Sequence, residues 1–320
     1  MAGLTLAVWL YTARVGPNYS FKPKPLRYSK SVAEKACHAF ASTTRFGLTQ
    51  ALGLATEAPC SVRFQKARYP NRPPMYSPTV DGFSIRGSAV RYTESPPTDD
   101  LSRVVHCFWE LRTLATLPDE FHYHALPDAC VNLLFNLVDP EIAGVTALHT
   151  EATTLNLGMS FHYAGVQFYP GAWQGDRTEI LDRYVGTPYR GTLPLVQTSR
   201  RLVGLEFLEM VPVLAEQVRW CMTYGHAREN AITARILSNL DTIRSVADMA
   251  ALLGLSARQL QRTLPRLTGF APHDLIKVLR VQQSFRRHYL DLYADQAHFT
   301  HAFRQATGYT PDQYRKRFRV

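Results

Sequence analysis

Arg258, Gln261 and Arg262 lie within five residues of one another on a predicted helix that begins at Ser256. With Leu260 taken as the inward direction at 100° per residue, Leu264 and Leu267 share its side. The Arg-Gln-Arg set then points outward. Those side chains carry the groups that base edges require. A guanidinium can bridge guanine O6 and N7, and an amide can bridge adenine N6 and N7, each good pair contributing roughly 1–3 kcal/mol of discrimination. A solvated helix face uses the same residue types, so the preceding sequence has to decide between the two. Ser245 can cap a short helix, Ala250 allows close approach, and Gly254 supports a tight turn. This is the syntax of a helix-turn-helix, whose second helix enters the major groove.

The stretch occurs twice. Ser256–Leu275 and Asp295–Tyr314 align without a gap at an offset of 39. Thr268-Gly269-Phe270-Ala271-Pro272 becomes Thr307-Gly308-Tyr309-Thr310-Pro311, and Leu260, Leu264 and Leu275 become Phe299, Phe303 and Tyr314. In each copy a capping residue opens an amphipathic helix, a Gly stops it, and a Pro can open the next. The second copy turns Ala297, Thr300, His301 and Arg304 outward, flanked by Gln296 and His298. It carries less fixed charge, and its histidines suit base or phosphate contact or an ordinary surface. Arg315, Lys316, Arg317 and Arg319 are expected as a basic tail after the last helix.

A second chemistry is conceivable further upstream. His122 and His124 alternate on a predicted strand, with Asp128 and Cys130 close behind and His106 and His162 elsewhere. A His-x-His pair with a carboxylate can bind a transition metal, but no Glu follows at the spacing a cupin site would need. Trp109, Phe135, Phe168 and Trp173 can line an apolar pocket or fill a core.

These groups sit in three regions of different charge. Residues 1–74 carry eleven Lys and Arg against two acids; they are unassigned, basic, and expected to be a disordered extension, either a flexible arm adding nonspecific DNA affinity or a non-native segment with Met75 as the real start. Residues 75–240 carry twelve Arg and no Lys against eighteen acids, and residues 241–320 carry thirteen basic residues against six. An acidic middle beside a basic end suggests a nucleic-acid module joined to a module with a different job. Residues 75–225 read as β-rich, with strand-like runs at 104–111, 129–137 and 160–168, followed by an apolar helical stripe over 207–222. Residues 226–320 read as helical throughout. Five separated cysteines argue against a zinc knuckle or a disulfide framework and suit a reducing cytoplasm. No apolar run approaches the length of a membrane span.

The C-terminal third resembles the DNA-binding domain of the AraC/XylS family of bacterial transcription regulators. The likeness is carried by Ala247-Asp248-Met249-Ala250, Gly254-Leu255-Ser256, Leu260-Gln261-Arg262 and the two Thr-Gly-aromatic turns, with Asp295-Gln296-Ala297-His298-Phe299, Phe303-Arg304 and Tyr314-Arg315. It implies two helix-turn-helix units reading successive major grooves, with Ser256, Arg258, Gln261, Arg262, Gln296, His298, Thr300 and His301 as contacts. The middle segment more faintly resembles the cupin-like sensor halves attached to such domains. The implied fold class is α+β: a mostly-β cupin-like barrel followed by an all-α double helix-turn-helix domain. Between Arg280 and Asp295 the chain is roughly three helical turns shorter than the family pattern, and Val281–Tyr293 is expected to form one helix doing two jobs.

The resemblance further implies double-stranded promoter DNA, RNA polymerase, an unknown small-molecule effector and a second copy of the chain as partners, with no cofactor and no catalytic residue. The other function class is a metal-dependent cupin-type enzyme with an appended DNA-binding tail.

Overall fold

The computed structural model describes residues 89–181 and 186–319, together with the backbone of two short strands, β1 (Arg63–Gln65) and β2 (Phe83–Ser84). Apart from β1, the segment 1–74 and the proposed start at Met75 lie outside the described residues. The remaining strands are β3 (Val90–Ser95), β4 (Val105–Thr113), β5 (His122–Ala125), β6 (Asn132–Asn136), β7 (Ala143–Thr146), β8 (Thr153–Asn156), β9 (His162–Phe168), β10 (Ile180–Leu181) and β11 (Phe318–Arg319). Eight described helices follow β10: α1 (Leu195–Leu202), α2 (Phe207–Thr223), α3 (Ala231–Leu237), α4 (Val246–Leu253), α5 (Ala257–Thr268), α6 (Pro272–Ser284), α7 (Gln296–Thr307) and α8 (Pro311–Arg317).

The main sheet runs in the order β1-β3-β4-β9-β6-β7-β10, antiparallel except for the outer pairs β1–β3 and β7–β10. Its central strands are covered on both faces, so their apolar residues run on with little alternation. Phe108, Leu133, Phe135, Val166 and Phe168 face α1 and α2 and join a core that continues through Ile236, Met249, Leu260, Leu264 and Leu275 of the helical half. On the opposite face Leu111, Leu134 and Tyr163 pack with Leu117, Phe121 and Phe161. A separate two-stranded sheet, β5–β8, lies on that side, and β11 pairs with β2.

The mixed α and β content and its order along the chain follow the sequence pattern, but a closed barrel does not form. Among the described residues β1 and β10 are the two edges of an open sheet, and β5–β8 is hydrogen-bonded separately.

The joint between the two helical units also differs from expectation. α6 stops at Ser284, and only a 3₁₀ turn, Tyr289–Asp291, precedes α7. The amides of Arg286 and Arg287 both return to the carbonyl of Gln283 at 3.0 Å. Aromatic packing then holds the segment in place. Phe285 sits 5.4 Å from Phe303, and Tyr289 stacks on Phe299 at 5.1 Å and 8°. These contacts bind the turn to α7, so a single helix over 281–293 does not form.

Candidate nucleic-acid interface

The two repeat copies fold alike in their hydrogen bonds. Ser256 caps α5 by accepting from the amide of Gln259 at 3.2 Å, and Asp295 caps α7 by accepting from that of His298 at 2.8 Å. Both helices are 12 residues long and end at a left-handed glycine, Gly269 at φ 79° and Gly308 at φ 77°. A side chain at either φ would be strained. Just before each glycine a buried threonine donates back one turn: Thr268 to Leu264 and Thr307 to Phe303, both at 2.8 Å. Each hydroxyl then accepts the amide of the following aromatic, Phe270 or Tyr309, at 3.1 and 3.2 Å.

The face of α5 away from Leu260 and Leu264 is exposed at Ser256, Arg258, Gln261 and Arg262. The last three make no hydrogen bond or ion pair within the described residues. The hydroxyl of Ser256 is occupied as an acceptor but can still donate to a phosphate. Upstream, Ser245 caps α4 and Gly254 ends it at φ 67°, and this aims α5 across it.

The second unit is arranged differently. Gln296, His298 and His301 are exposed and Thr300 is half-buried. His298 meets Tyr293 edge-on at 5.4 Å. His298 and His301 border a groove of about 510 Å³ between α6 and α7, together with Arg244, His273, Lys277 and Arg280. The guanidinium of Arg280 donates to the carbonyl of Arg244. The eight sequence-derived residues therefore do not form one cluster. Ser256 caps α5 and three others lie on it, while the two histidines of α7 border a groove that also holds the carboxylates of Glu151 and Asp274 and whose basic members were not singled out from the sequence. Their signal was present only as the basic excess of residues 241–320.

The basic residues after α7 are not a tail. Arg315, Lys316 and Arg317 form the last turn of α8, where cations complement the helix dipole. Arg317 lies 5.1 Å over the Tyr309 ring, and Arg319 is in β11.

A cavity of about 120 Å³ opens on the sheet face opposite α1 and α2. Trp109 lines it, as the sequence allowed, whereas Phe135, Phe168 and Trp173 belong to the core on the other face. The Trp109 indole donates to Asn132 Oδ1 at 3.0 Å and lies over Gly165, where a Cβ would come within 2.4 Å of the ring. Beside it, Gln167 donates to Asp128 at 2.7 Å and bonds His106 at 2.7 Å. Burial holds the His106 pKa down to about 4, against a weaker upward pull from the Gln167 bond.

The cavity wall is also a wall of the helical half. Leu126 and Pro127 line the cavity, while Leu126 packs with Val281, Phe303 and Tyr314 and the Pro127 carbonyl accepts from Gln282 at 2.8 Å. The loop 147–152 lines the cavity as well, and its Ala152 amide donates to the carbonyl of Ala306 on α7 at 2.7 Å.

The His-x-His pair does not converge on a ligand site. His122 is exposed, His124 is buried, and Asp128 is turned to Gln167 and to the Cys130 amide. Among the described residues no group of three His, Cys, Asp or Glu is arranged to hold a metal ion. Among them, too, no helix is long and apolar enough to cross a membrane.

Residues 93–175 match a domain of unknown function, DUF6597. The match takes in the strands that line the cavity and none of α1 to α8. No curated protein matches the chain. Among solved structures, a crystal structure of an apo ToxT variant from Vibrio cholerae is similar at 10% identity, covering 72% of this chain and 97% of that one, with a TM-score of 0.35. A likeness of that degree sets no constraint on this chain.

Proposed function

We propose that this chain is a sequence-specific DNA-binding transcription regulator of the AraC type. On this reading α5 enters the major groove, Arg258, Gln261 and Arg262 read base edges, and Ser256 meets the backbone. α7 offers Gln296, His298, Thr300 and His301 to an adjoining turn of the duplex. The groove between α6 and α7 supplies phosphate contacts through Arg244, Lys277 and Arg280. The sheet half takes a small effector in its cavity, and the walls it shares with α6 and α7 give occupancy a route to the DNA-facing helices. RNA polymerase and a second copy of the chain are the further partners, and the setting is the cytoplasm.

One observation carries the reading: two helices with matching caps, stops and threonine bonds, the first presenting three exposed, unengaged polar side chains in a row. A solvated helix face uses the same residue types; the placement of this set on a helix that follows a short capped helix and a left-handed glycine turn is what fits a groove reader.

The test is selection from randomised duplex oligonucleotides by the full chain at moderate ionic strength. A shared motif should emerge. Recovery of no enriched sequence, from protein shown to be folded, would defeat the reading.

A further inference from the structure

We propose that the cavity in the sheet half binds a small organic cation with an apolar body; the inference deepens the effector site of the regulator reading and rests on it.

The walls supply two kinds of attraction and withhold a third. Tyr92, Trp109, Tyr123 and Tyr163 present aromatic rings. Ring faces carry negative quadrupole potential, and Trp is the strongest of them toward a cation. Three carboxylates, Glu94, Asp128 and Glu151, also line the space, and among the described residues its one basic side chain is the imidazole of His149, with no Lys or Arg. An anion would therefore meet carboxylates on several sides, with no guanidinium or ammonium among the described residues to offset them.

These groups are held in place. The Asn132 bond fixes the Trp109 ring over Gly165. Tyr92 donates to Glu94 at 2.9 Å, and Asp128 accepts from Gln167 and from the Cys130 amide. Cys107 is pushed up by burial first and then by the Glu94 and Asp128 charges, and Cys130 by burial and then Asp128. The volume, about 120 Å³, is many times the roughly 10–15 Å³ that one water needs. Aliphatic surface from Leu111, Leu134 and Leu155 suits an apolar body behind the charge.

The experiment is calorimetric titration of the full chain at neutral pH with three probes of one shape: 2-phenylethylamine, 2-phenylethanol and phenylacetate. The amine should bind at least about tenfold tighter than the alcohol, with phenylacetate weakest. Glu94→Gln should weaken the amine about tenfold and leave the alcohol nearly unchanged, with the thermal midpoint retained. Trp109→Phe should weaken the amine in the same direction, since Phe keeps apolar area but is a poorer cation partner. Equal binding of amine and alcohol, tighter binding of phenylacetate, or no binding of any probe to millimolar concentration overturns the proposal. DNA selection on the same preparation separates the two readings. Sequence preference without amine binding sinks the cation site alone, and amine binding without sequence preference sinks the regulator reading and leaves the cation site.

Discussion

His124, on the small β5–β8 sheet, lies face to face with Phe318 beyond the last helix, their ring centroids 4.8 Å apart and their planes 15° from parallel. Phe318 also packs on Tyr314 at 4.7 Å and on Tyr309 at 5.5 Å. One aromatic side chain thus ties the end of the second helical unit to the wall of the sheet half. Phe318→Ala should cost about 3–5 kcal/mol, because the ring is 6% exposed and packs on His124, Tyr309 and Tyr314. Hydrogen exchange read by mass spectrometry should show α7 and α8 losing protection while α5 keeps it. Uniform loss across all helices would show that the stack has no local role.

Arg258→Ala with Arg262→Ala should abolish preference for the selected site and leave random-duplex binding within a few fold. Two base contacts at roughly 1–3 kcal/mol each cost the preferred site roughly 2–6 kcal/mol, at least about thirtyfold. Lys277→Ala should act differently, weakening all sequences alike and reducing the salt slope by about 0.9. Fluorescence anisotropy over a salt series distinguishes the two patterns. If the double variant discriminates as well as the parent, α5 is not the reader.

Gly165→Ala should disturb the cavity from below. The added methyl would meet the Trp109 ring at 2.4 Å and the Leu133 carbonyl at 2.6 Å. The backbone contact cannot be relieved by a rotamer change, so a loss of about 1–3 kcal/mol is expected, with a shift in tryptophan emission as the indole tilts. Unchanged emission and unchanged denaturant midpoint together would mean that the ring does not lie over this glycine.

Acid should destabilise the fold partly through His106. Its folded pKa, about 4, lies below the ordinary value of 6.5, so the unfolded chain binds the proton more readily. The stability this histidine contributes is complete above pH 6.5 and is lost as pH falls from there toward 4. At pH 5 the loss from this residue alone is about 2 kcal/mol. His124, also held down by burial first, shifts stability the same way. Urea unfolding at pH 7.5 and 5.0 should show a smaller difference for His106→Asn than for the parent. An equal difference would place the acid sensitivity elsewhere.

What the sequence determined by itself was local. The 39-residue repeat, its caps, its stops and the outward set on α5 were legible because each depends on neighbours within one helical turn. Ser256, Asp295, Gly269 and Gly308 fill the roles their residue types predict. The helical stripe at 207–222 was equally plain and became α2. The tertiary structure decided the rest. In strands buried on both faces, alternation is erased, and no local signal said that Trp109 would face a cavity while Phe135 and Phe168 would face α1 and α2. Sheet closure depends on whether distant edge strands meet, and here β1 and β10 stay apart. The groove beside α7 gathers Arg244, Lys277 and His301 from different elements, so their proximity comes only from how α6 and α7 pack. Short-range hydrogen bonding is written residue by residue, but the faces and clefts that recognise a ligand arise where separate elements meet.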